Sequence, residues 1–147
     1  INMTQDTESK FTDKFTVGVD FGDVTTGLAL GKNGVVTPVR SVMSRDKLFA
    51  VAQILKLAKE NRASAVVVGL PLSINGKETN QSIEVRRFAK ILKTRLGIPV
   101  LFVDEFGSTN EAIDGAIESE LPQKSRRKVD SISAALILRR FFSDEGF

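Results

Sequence analysis

Cysteine and histidine are both absent from this chain, and so are tyrosine and tryptophan. Without cysteine there are no disulfides, no zinc–thiolate sites and no thiol nucleophile. Without histidine there is no Ser-His triad and no imidazole ligand or base. Any hydrolysis must therefore be carried by carboxylates, lysines, hydroxyls and metal ions. No apolar run approaches the roughly 20 residues of a membrane span, and no signal-peptide pattern opens the sequence. Ile1 is not an initiator residue, so a preceding segment, such as a cleaved organellar peptide, is one expectation.

What is present describes a single globular domain. The 147 residues are 41% hydrophobic and 27% charged, enough apolar content for a real core. The net charge of +3 is only weak evidence for a polyanionic partner. Residues 1–14 are polar and acidic and are expected to fray, leaving residues 15–147 as the domain.

Phe15 to Gly22 reads as a buried strand that delivers Asp20 at its end, with Gly22 allowing a tight turn. Gly27–Leu30 reads as a second strand and Val35–Val39 as a third. They are joined by Lys32-Asn33-Gly34, a strong hairpin signal. Pro38 suits an edge or an end of that third strand. Leu48, Val51, Ala52 and Leu55 then recur at helical spacing, with Asp46 near the start. Ala65–Leu70 is apolar on both faces and predicts an interior parallel strand. A loop with an Asn75-Gly76 turn leads to a second helical stripe, Val85, Phe88, Ala89, Leu92 and Leu96, stopped by Gly97 and Pro99. Val100–Val103 is the fifth strand and ends in Asp104-Glu105.

Ser108 to Glu111 reads as a capping box for a short helix whose Ala112, Ile113, Ala116 and Ile117 face inward. The basic run Lys124-Ser125-Arg126-Arg127-Lys128 follows. A last helix is expected to begin near Val129-Asp130; its small apolar side chains predict close packing on the sheet. The order gives an α/β fold with a five-stranded mixed sheet, three antiparallel strands then two parallel ones, flanked by helices on both faces. Sites in such sheets gather at the carboxyl ends of strands.

Asp20, Glu105 and Asp130 stand where solvated acids are unusual. Converging carboxylates repel one another and call for a cation between them. With imidazole and thiolate excluded, that cation is Mg²⁺ or Mn²⁺, which take oxygen ligands. Two such ions about 3.5–4 Å apart support phosphodiester cleavage. Each acid also has a plainer reading. Asp130 could serve only as a helix-start residue, Asp20 as a turn acid, and one of Asp104 and Glu105 as a partner for a basic neighbour. The basic run could be an ordinary solvated face.

Val19-Asp20-Phe21-Gly22 with Gly27 and Ala29 resembles the first motif of the YqgF/RuvX family. Val67 to Leu72 with Asn75-Gly76 resembles the second. Pro99-Val100 through Glu105, with Ser108-Thr109 and Glu111-Ala112, is similar to the third, and Lys128-Val129-Asp130 with Ala134-Ala135 and Ile137-Leu138 to the fourth. The resemblance runs from about Val17 to Phe142. It implies a ribonuclease H-like fold and a metal-dependent nuclease acting on structured nucleic acid, either precursor 16S rRNA at its 5′ end or branched DNA such as a Holliday junction. It places the catalytic, metal-holding acids on Asp20, Glu105 and Asp130, with Mg²⁺ or Mn²⁺, as two ions, for cofactor. It adds Thr109 to the nucleic-acid contacts expected from Lys124, Arg126, Arg127 and Lys128. A monomer or homodimer in the cytoplasm is expected, or in a plastid or mitochondrion if a transit peptide preceded Ile1.

This chain departs from the family where basic residues usually follow the first glycine: Val24 and Thr25 stand there. Phe106 and Gly107 stand where arginine usually follows the third-motif glutamate. The alternative to a nuclease is thus a non-catalytic nucleic-acid-binding protein that keeps the fold. The Asp-x-Gly opening also resembles the phosphate loop of actin-like ATPases, which need two such domains where this chain has length for one.

Overall fold

The computed structural model describes residues 14–106 and 123–146, with side chains for 14–105 and 130–146. Its strands are β1 (Thr16–Phe21), β2 (Thr25–Lys32), β3 (Val35–Met43), β4 (Ala65–Leu72) and β5 (Val100–Phe106). Its helices are α1 (Lys47–Glu60), α2 (Asn80–Arg95) and α3 (Gln123–Asp144). One sheet holds all five strands in the order β3-β2-β1-β4-β5. The first three pair antiparallel, and β4 pairs parallel with both β1 and β5, as the sequence predicts. The expected short helix near 112–117 and its capping box lie outside the described residues.

Local chemistry accounts for the joints. Asn33 and Gly34 have φ of 54° and 79°, both positive as a tight type I′ hairpin requires. Pro38 sits on the edge strand β3 opposite Ala29, beside a register shift at Leu28/Ala29, the kind of edge or bulge position to which a strand proline is confined. Asp46 caps α1 by accepting from the Leu48 N–H. Thr79 and Ser82 form a reciprocal capping box on α2. The buried stripe of α1 differs from the sequence reading: Ala50, Val51, Ile54, Leu57 and Ala58 face the sheet, while Leu48 and Ala52 are exposed. The inward face is turned by about one residue, which buries Ile54 and Leu57 in the core against the sheet.

The two sheet faces carry separate cores. α1 and α2 cover one face, where Phe21 stacks on Phe88 at 4.1 Å between ring centroids. Among the described residues, α3 alone packs the other, with Ala134, Ala135, Ile137, Leu138, Phe141 and Phe142. Its approach is unusually close. A Cβ on Gly18 would fall 2.5 Å from Leu138 Cγ and 2.8 Å from the Ala134 carbonyl oxygen. One on Gly27 would fall 1.9 Å from the Asp130 carbonyl oxygen. Glycine at these positions of β1 and β2 makes room for the helix backbone itself.

Two stability outcomes follow. Gly27→Ala cannot be relieved by a rotamer change, because its clash is with backbone, and should cost about 3 kcal/mol or more, the upper end for overpacking. The fully buried Thr26 hydroxyl has no hydrogen-bond partner among the described residues. Thr26→Val should stabilise by about 1 kcal/mol, since an unpaired buried hydroxyl is removed at nearly constant shape. Chemical denaturation of both variants measures these differences.

Candidate active site

Strand alternation decides which acids can meet. Val17, Val19 and Phe21 enter the α1/α2 core, so Gly18 and Asp20 turn toward α3. On β5, Leu101 and Val103 pack in the α3 core, and Glu105 shares their face. Between these strands lies β4, where Gly69 stands two residues before Pro71, the register partner of Glu105. A Cβ there would be 2.9 Å from both Cδ and Oε2 of Glu105. The Glu105 carboxylate therefore lies over Gly69, leaning from β5 across β4 toward β1. Val19 pairs with Val68, so Asp20 is one step further, level with Gly69. Asp20 and Glu105 line one cleft of about 600 Å³ together with Gly69, Asn75, Thr79 and Ser133.

Asp130 approaches from the helix layer. Its carbonyl sits on Gly27, and Gly27 is the β2 partner of Asp20. The Asp130 Oδ2 accepts a hydrogen bond from Thr25 Oγ1, and Ser133, one turn along α3, reaches the cleft. All three acids thus belong to the same face and the same end of the sheet. Asp20 and Glu105 share the cleft, and Asp130 flanks it. Among the described residues no group of three acidic side chains stands close enough to hold one metal ion.

The start of α3 corrects the sequence reading. The helix begins at Gln123, so Asp130 lies about two turns inside it rather than at its opening. A capping role is excluded, and the helix-dipole effect fades within the first turn. Lys124, Arg126, Arg127 and Lys128 belong to the first two turns of the helix rather than preceding it. Glutamine, lysine and arginine are good helix formers, but they lack the apolar periodicity that marks the helix from Val129 onward. Thr109 lies outside the described residues. The helix also leaves Ile132 and Leu136 exposed, so it is not buried all round.

Asp104 is the acid that serves a basic neighbour. It faces the opposite side of β5, where the Arg86 guanidinium lies 5.4 Å above the Phe102 ring and feels the Asp104 charge. Arg86 grips Glu78 through Nε at 2.6 Å and a second nitrogen at 3.0 Å. That hydrogen bond holds the Glu78 carboxyl below the usual carboxylate range and raises Arg86 above its own. Whatever this pair contributes is present above the ordinary carboxylate pKa and is lost as pH falls through the lowered one. It steadies the segment from Ser73 to Thr79, which forms one wall of the cleft.

Gly69, Thr25 and Ser133 were not among the residues expected to shape the site. A lone glycine inside the run Val66-Val67-Val68-Gly69-Leu70 was the available signal, since glycine within a buried strand marks a close approach. Nothing in the sequence pairs Thr25 with Asp130, which are 105 residues apart.

The fold is that of the ribonuclease H-like junction resolvases. Thermus thermophilus RuvC, solved in complex with a Holliday junction substrate, superposes with a TM-score of 0.56, covering 90% of this chain and 96% of that one at 16% identity. The profile of the RuvX family, described as Holliday junction resolvase, matches residues 14–144. A protein of Nitratidesulfovibrio vulgaris named as a pre-16S rRNA nuclease is 36% identical, over 86% of this chain and 92% of its own length. One of the same name from Colwellia psychrerythraea is 30% identical, over 97% of this chain and 99% of its own. The chain belongs to the RuvX family.

Gly69→Ala separates the site from the fold. The added methyl would meet the flexible ends of Glu105 and Ile137 rather than backbone. Stability should fall by only about 1–2 kcal/mol. Displacing the Glu105 carboxylate by about 1 Å should lower nuclease activity on the order of 100-fold. Thermal melts and a cleavage assay on the same preparation check both.

Proposed function

We propose that this protein is a divalent-metal-dependent nuclease that hydrolyses phosphodiester bonds in structured nucleic acid, with the 5′ end of precursor 16S rRNA or branched DNA as substrate. The observation that carries this reading is the pair of carboxylates, Asp20 and Glu105, brought over Gly69 into one cleft at the carboxyl end of the sheet. The names of the relatives and the RuvX match support it.

The donor set suits Mg²⁺ or Mn²⁺. Every group that could coordinate an ion here is an oxygen, and Mg²⁺ is usually held by one or two carboxylates with waters and substrate phosphates completing its shell. Asp20 and Glu105 would hold it from the sheet, and Asp130 would add its negative charge from the flank of the cleft on α3. Bound there, a divalent ion supplies positive charge for the phosphate and a more acidic water. The chain's own residues do the rest. A cleft lined by acids repels a phosphodiester, so the basic first turns of α3 offer the attraction that brings the backbone in. With no imidazole in the chain, a carboxylate is the proton acceptor available in the cleft. Thr25 fixes Asp130 by hydrogen bonding, at a position where the family usually carries a cation. That substitution favours the second reading, a nucleic-acid-binding protein without cleavage activity.

Cleavage of a labelled precursor rRNA fragment and a four-way DNA junction, with and without Mg²⁺, separates the two readings. Metal-dependent product is expected. Mg²⁺ or Mn²⁺ should also raise the Tm, because a ligand bound to the native state stabilises it. The triple variant Asp20→Asn, Glu105→Gln, Asp130→Asn should lose both the product and the metal-induced shift. An undiminished shift would place the ions elsewhere. For Asp130→Asn alone, stability without metal should hold or rise and activity should fall by orders of magnitude. A destabilised but fully active variant would remove Asp130 from the site.

A further inference from the structure

Ile74 is 77% exposed, more than any other large apolar side chain among the described residues, and it stands on the lip of the cleft that holds Asp20 and Glu105. A single exposed isoleucine is by itself unremarkable. Its support is not. The Gly76 N–H donates to the Ser73 carbonyl at 2.8 Å, the Ser73 N–H to the Lys77 carbonyl at 2.9 Å and the Lys77 N–H to Ser73 Oγ at 3.0 Å. Gly76 takes a φ of 75°, which lets this tight turn close. At its base, Thr79 Oγ1 donates to the Pro71 carbonyl at 2.8 Å, and Glu78 is gripped by Arg86. The turn is thus braced at its neck and at its root. Its geometry holds Ile74 out in solvent instead of letting it fold back onto Leu72, which lines the same cleft.

Asn75, next in the turn, also lines the cleft. An apolar tip and an amide thus stand side by side on the wall of the cleft in which a phosphodiester would lie. The part of a nucleic acid nearest such a phosphate with an apolar face is the adjoining base. Apolar side chains placed against a base step partly unstack it, most cheaply where stacking is already broken.

We infer that Ile74 is an apolar wedge that packs against the base adjoining the phosphate held in the cleft. Through it the protein prefers nucleic acid whose stacking is interrupted at that point, such as a branch or an unpaired end, over continuous duplex. The inference rests on the cleft being the nucleic-acid site.

The test uses the full chain carrying Asp20→Asn, to limit cleavage, with 2-aminopurine placed in turn at each position around the branch of a four-way junction built from DNA or from RNA. Binding should raise fluorescence severalfold at one position. Ile74→Ser should abolish that rise and weaken junction binding about tenfold while leaving duplex binding unchanged. Ile74→Met should retain most of both signals. Both variants replace an exposed turn residue, and melting curves matching the parent confirm that the fold is intact. A fluorescence rise and junction preference that persist in Ile74→Ser would overturn the inference, as would the absence of any rise on either junction. The nuclease reading fails separately: wild-type protein that shows the residue-74-dependent signal but yields no metal-dependent product would keep the wedge and lose the catalysis.

Discussion

The contact on which the rest depends is that of α3 with the glycines of β1 and β2. Helices ordinarily pack on sheets through side chains. Here the backbone of α3 comes down onto Gly18 and Gly27, where a single methyl would clash with carbonyl oxygens. Further along, Gly31 takes the edge of the Phe142 ring. This approach sets the height and the rotation of the helix. It is why an aspartate about two turns into α3 stands directly above the β2 partner of Asp20. A helix seated on larger side chains would carry Asp130 away from the sheet.

The same economy of side-chain volume shapes the cleft. Gly69 lies on the strand between those bearing the two acids, and its missing side chain lets Glu105 lean inward instead of standing up from β5. Thr25 occupies the flank of the site and spends its hydroxyl on Asp130. Glu105 is thus aimed by empty space and Asp130 by a hydrogen bond. Aiming of this kind concentrates negative charge at one end of the sheet, which is costly unless a cation or a basic partner offsets it.

The opposite face of the sheet serves the cleft indirectly. Arg86 collects Glu78 and Phe102 and lies within the field of Asp104. These groups are largely exposed, so their ion pairs add little to global stability. Their effect is local. They fix the segment that leads from β4 into α2, and with it the wall that carries Ile74 and Asn75. Adjacent residues of β5 thereby face different surroundings: Asp104 lies in the field of Arg86 on one face, and Glu105 enters the cleft from the other.

Much of this was legible in the residues alone. Alternation and turn chemistry are local properties, so the five strands, their antiparallel-then-parallel order, the Asn33-Gly34 hairpin and the two stripes of α1 and α2 could be read to within a few residues. The absence of histidine and cysteine reduced the available chemistry to oxygen donors, and motif order brought forward Asp20, Glu105 and Asp130. The start of α3 was misplaced because a basic helical turn lacks the apolar repeat that distinguishes helix from loop. The face each side chain takes, the lean of Glu105 over Gly69, the bond from Thr25 to Asp130 and the exposure of Ile74 belong to tertiary structure only. They depend on how close α3 comes to the sheet, and that distance is set jointly by residues more than 100 positions apart in the chain.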